Sequence, residues 1–371
     1  MAETRTPTAV QVKQWSAKFF SEWVRQNLFS RYMGTDEGAI IHIKEDLTTK
    51  SGNTLNFPLI NKLDGDGVAG TETLDGAEEE LHSDGDDIKV QYRRNAVKRT
   101  LEDEQATVLD YMNAARRANK NWLMDITKDM IITAFMAPGA NAYLSSQTVK
   151  NINYTTVASE AEKDAWLAAN DDRVLFGAVL GNNAANDHSA ALANVDATDD
   201  VLSTGIISLA KRMAKTASPS ITPYRTDEDE EWFVMFAGSL AFRDLKSDTA
   251  MQSANRDAWT RGRTNPLFRD GDLIWDGVII REIPEIPVIP GVGASSIDVS
   301  ANFLCGAGAI GLAMAKRAKP IMEDKDYKFR KGVGIMQSFG IKKLFFADPS
   351  NPGSEVQHGL VTVYTAAVAD A

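Results

Sequence analysis

The chain has 371 residues, of which 43% are hydrophobic, 8% aromatic and 25% charged. These globular proportions exclude a wholly disordered chain, and at roughly 100–200 residues per domain they fit two or three compact units. Lys and Arg total 40 against 51 Asp and Glu, a net charge of −11, so overall charge gives no grip on nucleic acid, which needs cations to displace counterions from phosphate.

The single cysteine, Cys305, excludes an internal disulfide and a cysteine-based zinc knuckle. His42, His82, His188 and His358 stand too far apart for a ligand pair. Residues 1–12 carry no apolar signal core, and no apolar run approaches the ~18 residues of a membrane span. The expectation is a soluble, reduced chain made in the cytosol, with no cofactor, no metal, no membrane contact and no pro-segment to remove.

Residues 8–33 contain neither Pro nor Gly, and Pro7 suits a helix start, where its missing N–H costs nothing. Trp15, Phe19 and Trp23 recur at i, i+4 and i+8, with Val12 and Leu28 near the same stripe. The spacing predicts an amphipathic helix closing around Met33-Gly34, with its apolar face on its own core or on a neighbouring subunit. From Ile40 to Ile60 the pattern turns strand-like: Ile41 and Ile43, then Leu55, Phe57 and Leu59, alternate around a Ser51-Gly52-Asn53 turn.

Asp64–Asp87 holds ten acids (Asp64, Asp66, Glu72, Asp75, Glu78, Glu79, Glu80, Asp84, Asp86 and Asp87), five glycines and no Lys or Arg. With so few large apolar residues it predicts a projecting loop, solvated or laid on a partner. Leu101–Ala137 is the longest helical signal, with Thr100 as cap, acids in its first turn and Pro138-Gly139 as stop. At 1.5 Å per residue such a helix would be roughly 50 Å long.

Beyond it the pattern predicts a helix over 158–169, a strand over 174–180 and a helix from Thr198 or Asp199 through Lys215. A buried strand over 232–236 and a helix over 239–261 come next. Then follow a strand in 273–283, polyproline II at Pro284, Pro287 and Pro290, and a strand over 302–305. Tyr327, Phe329, Val333 and Ile335 alternate toward Lys343 among Lys328, Arg330 and Lys331. Long helices with dispersed antiparallel-type strands make an α+β architecture and no regular βαβ series.

Few motifs carry chemistry. Gly306-Ala307-Gly308-Ala309-Ile310-Gly311 is a literal GxGxxG after a strand, the pattern that lets backbone approach a pyrophosphate at a helix N-terminus. No βαβ unit follows it, so close strand packing explains those glycines better than a nucleotide-dependent cytosolic enzyme does. Asp64-Gly65-Asp66-Gly67 starts like a calcium loop, but Val68 and Asp75 stand where the fifth and twelfth ligands belong. Incidental cation binding by the acidic loop is the most that pattern supports. Asp324 with Asp326, and the 227–231 acids, lack an accompanying nucleophile or metal ligand. The basic strip 325–343 reads as a solvated strand face before it reads as a nucleic-acid surface. No catalytic constellation emerges.

The order of parts (terminal arm, acidic glycine-rich hairpin, spine helix, mixed α/β region, returning strand) resembles the major capsid proteins of tailed phages, with their HK97-like fold. The residues that carry the likeness are Ser51-Gly52-Asn53-Thr54-Leu55-Asn56-Phe57-Pro58-Leu59, Gly67-Val68-Ala69-Gly70 and Leu74-Asp75-Gly76-Ala77-Glu78-Glu79. Further on they are His188-Ser189-Ala190-Ala191-Leu192-Ala193-Asn194, Arg243-Asp244-Leu245-Lys246, Asn265-Pro266-Leu267-Phe268 and Trp275-Asp276-Gly277-Val278.

The resemblance implies an N-terminal arm (1–45) and an extended loop (46–90) lying over a neighbour. A peripheral domain (91–194) with spine helix 101–137, an axial domain (195–320), and return strands with a C-terminal tail (321–371) complete the chain. It implies an icosahedral phage head, built of hexamers and pentamers of this non-enzymatic subunit, that encloses double-stranded DNA without sequence-specific binding. Scaffold, cement and portal proteins are the expected partners, the virion the destination, and the host bacterial cytoplasm the place of synthesis. Intersubunit contacts are expected from Trp15, Phe19, Trp23, Leu55, Phe57, Lys62, Asp64, Glu78 and Glu79. A nanocompartment shell of the same fold is the nearest alternative.

Overall fold

The structure is a computed structural model that describes residues 27–48, 52–60, 83–106, 111–138, 154–227, 230–259, 273–348 and 351–370, with 62, 63, 67–71, 73–76, 78, 79 and 81. The chain gathers into two compact units, one drawing on 92–125 and 316–338, the other on 28–91, 126–315 and 339–371.

The larger unit is built on a sheet whose strands lie in the order Val174–Phe176, Leu360–Ala366, Val299–Cys305, Glu230–Ala237, Val278–Glu282 and Leu273–Trp275. All seven residues of Val299–Cys305 and of Leu360–Ala366 are buried, the continuous burial expected of strands covered on both faces. They pair antiparallel from Val299 with Ala366 to Cys305 with Leu360. Glu230–Ala237 is antiparallel to the former and parallel to Val278–Glu282.

The helix Thr204–Thr216 starts at Ser203, whose hydroxyl accepts from the Ile206 N–H, and it buries Ile206, Ile207, Ala210, Met213 and Ala214. That stripe joins Phe233, Met235, Ile280 and Val363 of the sheet and Phe242 and Leu245 of the helix Ser239–Ser247 in one apolar cluster. Each such side chain contributes roughly 1.5–3 kcal/mol by leaving water. Elsewhere in this unit Phe29 meets Phe236 edge-on at 5.0 Å and Phe135 stacks on Phe303 at 5.2 Å.

Several boundaries differ from the expected ones because a side chain captures backbone. The helix expected from Thr198 or Asp199 starts only at Thr204. The Asp200 carboxylate holds 196–200 in a turn by accepting from the N–H groups of Ala178 (2.7 Å) and Asp196 (3.0 Å). The helix expected over 239–261 is two, Ser239–Ser247 and Thr249–Trp259. Between them the Asp248 carboxylate accepts from the Thr204 N–H and hydroxyl, at 2.8 and 2.7 Å.

The strand expected in 273–283 is a hairpin. Asp276 and Gly277, at φ 48° and 70°, make its turn, a left-handed conformation that glycine adopts without strain. Polyproline II is not what the 284–290 prolines form: Ile283, Ile286 and Ile289 are buried, and Val288–Ile289 pairs with Val299 and Ser300 as a short edge strand. At the start of the described chain, Leu28–Tyr32 is a short 3-10 helix and Met33–Gly34 a strand, so the predicted arm helix does not run to Met33-Gly34. The rest of that helix lies outside the described residues.

Thr54–Ile60 and Ser83–Lys89 form an antiparallel pair, from Thr54 with Lys89 to Ile60 with Ser83. Leu55, Phe57 and Ile88 cluster with Ala313, Leu344 and Phe346 beneath it. The acidic loop is therefore shorter than expected: Asp84, Asp86 and Asp87 are strand residues.

The smaller unit holds three adjacent strands, in the order 316–325, 330–338 and 92–100, and the first half of the helix Tyr111–Met136. Asn119 of that helix donates to the Val333 carbonyl at 3.0 Å with both residues buried, fixing helix to sheet. The predicted spine 101–137 is seen as Leu101–Ala106 and Tyr111–Met136, with 107–110 outside the described residues. Thr100 caps it as expected, its hydroxyl accepting from the Asp103 N–H at 3.4 Å while the Asp103 carboxylate accepts from the Thr100 N–H at 3.3 Å. The strand alternation expected from Tyr327 begins only at Arg330, because Asp326, Tyr327 and Lys328 take positive φ to turn the hairpin.

Candidate interaction surface

Several polar groups that could do chemistry are engaged inside the larger unit. Tyr154 Oη sits 2.9 Å from His188 Nε2 and 2.7 Å from Tyr364 Oη, all three residues buried. Burial, then the nearby Lys163 cation, lowers the His188 imidazole to about 4 and keeps it neutral. Buried Arg173 donates to the carbonyls of Gln357 (2.7 Å) and Pro219 (2.6 Å).

The basic strip 325–343 is not a solvated face at its far end. Lys342 is buried in an ion pair with Asp86, and Lys343 donates to the Ala137 carbonyl at 3.0 Å and lies over the Trp166 ring. Among the described residues no carboxylate pairs with Lys343, and burial lowers its ammonium to about 7.

Gly306–Gly311 is no nucleotide cradle. The motif joins Val299–Cys305 to the strand Ile310–Lys325, with no helix after it to present N–H groups. A Cβ on Gly306 would lie 2.1 Å from the Thr222 carbonyl oxygen, so close backbone approach demands that glycine. Among the described residues no cluster of three His, Cys, Asp or Glu could hold a metal, and the calcium-like residues 64–66 lie outside them. Asp324 and Asp326 are exposed beside the tip of the long hairpin.

What the molecule does present is bare apolar surface on the acidic hairpin. Ile60, Leu63, Leu74 and Leu81 are 66, 58, 59 and 59% exposed, close to acids. The expected contact residues divide accordingly. Leu55 and Phe57 are buried in the hairpin's own cluster, where alternation places them on its inner face. Lys62, Glu78 and Glu79 are exposed, and Trp15, Phe19, Trp23 and Asp64 lie outside the described residues. Sequence reasoning missed the four exposed apolar residues. Their signal was present, since a leucine in an acidic stretch with no core of its own has nowhere to be buried.

Among the described residues, His188, Arg173 and Lys342 are engaged internally, while the acidic hairpin leaves apolar side chains exposed. The family model described as phage capsid protein matches residues 4–369. The chain belongs to that family.

This capsid protein is 27% identical over 373 residues to the major capsid protein of Pseudomonas phage KPP25, covering 97% of this chain and 96% of that one. It superposes on the capsid of cyanophage Pam1 with a TM-score of 0.85 at 36% identity, over 100% of both chains. Against the capsid of Ralstonia phage GP4 the TM-score is 0.74 at 21% identity, over 98% and 97% of the two chains, a likeness of fold. The fold is the α+β, HK97-like capsid fold, and the protein is a phage major capsid protein, a shell-forming subunit of the virion.

Proposed function

We propose that copies of this chain form the hexamers and pentamers of an icosahedral head that encloses double-stranded DNA. The observation that carries this reading is the pairing of a whole-length family match with uncovered leucines on a projecting hairpin. Contacts that are weak singly hold a closed shell because symmetry repeats them. The net charge of −11 fits a lining that does not grip the DNA along its length. Scaffold, cement and portal proteins are the remaining partners, and synthesis takes place in the host bacterial cytoplasm.

Within the subunit, residues 1–45 serve as the arm, with Trp15, Phe19 and Trp23 on a neighbour, and 46–90 as the extended loop, with Lys62, Asp64, Glu78 and Glu79 at the contact. Residues 91–194 are the peripheral domain, 195–320 the axial domain, and 321–371 the return strands and tail. Leu55 and Phe57, buried in the hairpin's own cluster, act here by fixing its base.

Negative-stain electron microscopy with light scattering, on the chain produced together with the other head proteins of its phage, tests the reading. Shells containing DNA are expected. A discrete small oligomer under those conditions overturns the reading, and shells packed with an enzyme in place of DNA favour the nanocompartment.

A further inference from the structure

Six Asp-Gly steps occur in the sequence, at Asp64, Asp66, Asp75, Asp84, Asp270 and Asp276. Those at 75, 84 and 276 lie wholly within the described residues. With no side chain on the glycine to shield it, the amide nitrogen of such a step is open to the neighbouring aspartyl Cγ. A five-membered imide results when the two join. Closure requires the peptide to rotate and the amide hydrogen to leave.

Two of the three steps are held. Asp84 and Gly85 pair with Leu59 and Pro58 in the antiparallel ladder, and the Asp84 carboxylate accepts from the Ala347 N–H. The Gly85 N–H reaches Asp84 Oδ1 at 2.7 Å, but rotating that peptide into a ring would break the strand. Asp276 and Gly277 form a left-handed turn, where Lys211 pairs with Asp276 Oδ1 at 3.4 Å and also donates to the Asp276 carbonyl. The Gly277 carbonyl accepts from the Phe233 N–H at 3.1 Å. Asp75 and Gly76 are different. Both are exposed in a turn outside every helix and strand, and the Gly76 N–H donates to Glu78 Oε2 at 2.8 Å. A carboxylate thus sits on the hydrogen that must leave.

We infer that Asp75-Gly76 is a self-modification site of the unassembled subunit, where Glu78 serves as base and Asp75 is converted to isoaspartate. The Gly76 nitrogen adds to Cγ of the Asp75 carboxylic acid while its hydrogen passes to Glu78. A C–N bond forms, the Cγ–OH bond breaks, and the hydroxyl leaves as water with the hydrogen that Glu78 returns. Water then opens the imide at the Asp75 main-chain carbonyl, breaking its bond to the Gly76 nitrogen, and leaves the chain running through Cγ. No electron changes hands, and water is the only co-reactant. The main chain gains one methylene at the tip, so the hairpin of an aged subunit differs from that of a new one.

The test incubates the purified full chain, unassembled, at neutral pH and scores isoaspartate by peptide mapping and enzymatic methylation. Isoaspartate at 75 should appear about tenfold faster or more than at 84 or 276, since a held peptide is kept from the geometry of attack. Glu78→Gln keeps an oxygen to accept from the Gly76 N–H but cannot take the hydrogen, and should slow the conversion by about tenfold. Asp75→Asn closes the same ring with ammonia leaving in place of water, so adding Glu78→Gln should slow its deamidation by a similar factor.

Absence of isoaspartate at 75, or equal rates at 75 and at 84 or 276, overturns the site. A parental rate in Glu78→Gln, with either residue at 75, overturns the base and leaves only an exposed Asp-Gly step.

Discussion

The acidic hairpin divides at Ser83 into two regions of similar composition and opposite fate. At its base Asp86 is buried, paired with Lys342, and accepts from the Phe345 N–H at 3.0 Å, while Asp84 accepts from the Ala347 N–H. At its tip Asp75 and Glu78 are exposed beside bare leucines. Acidity alone decides neither outcome. Burial of a carboxylate needs donors already in place, and at the base the strand Phe345–Asp348 supplies two N–H groups and Lys342 an ammonium. The base is therefore part of the subunit's folded interior, and the tip stays at its surface.

Removing a base acid gives the largest contrast. Asp86→Ala strands the Lys342 ammonium in the interior, and breaking a buried pair from one side costs about 3–5 kcal/mol. Burial raises the Asp86 carboxyl above its usual range against the opposing pull of Lys342, so the pair is held by geometry and N–H donors together. Chemical denaturation of the unassembled subunit should show that loss, with Asp75→Ala unchanged. A small effect for Asp86→Ala would mean water reaches the base as freely as the tip. Phe57→Ala should be comparable, about 3–5 kcal/mol for a buried ring, because that residue fills the cluster under the base.

The architecture was legible in the sequence where one signal dominated. Apolar runs gave the buried strands, glycine-free stretches the helices, and Thr100 the start of the spine. Asp200, Asp248 and Asp86 were misjudged for a shared reason: each carboxylate bonds backbone far away in sequence, which no local pattern records. Lys342 and Lys343 looked solvated because a strand of alternating charge reads the same whether its end is wet or dry. In the acidic stretch, the exposure of the tip was legible and the burial of the base was not. Leu55 and Phe57 became core only when Leu344 and Phe346 arrived from nearly 300 residues away.

Lys343 sharpens the same comparison with a buried amine that meets no carboxylate among the described residues. Its folded value of about 7 lies below the ordinary 10.5, so the unfolded chain holds the proton more tightly. Stability from this site is thus highest at alkaline pH and falls as pH drops from 10.5 toward 7, levelling off below. Lys343→Met removes that slope, and its stability relative to the parent should grow by roughly 3 kcal/mol between pH 9 and pH 6. A constant difference across that range would mean the ammonium stays protonated throughout, held by the Ala137 carbonyl and the Trp166 ring.

The smallest effect on the fold is expected at the tip. Leu74→Ser with Leu81→Ser removes two exposed side chains that cover nothing in the subunit, so unfolding should change by no more than about 0.5 kcal/mol per site. Replacing exposed apolar groups by hydroxyls even relieves an unfavourable exposure to water. If the proposed contact of the 46–90 loop with a neighbour holds, the same pair of substitutions should lower the yield of shells, because side chains neutral in the monomer would then be buried between subunits. Separating the two readouts, stability of the free subunit and yield of shells, decides whether the tip belongs to the fold or to the assembly. Loss of both together would return the tip to the category of the base.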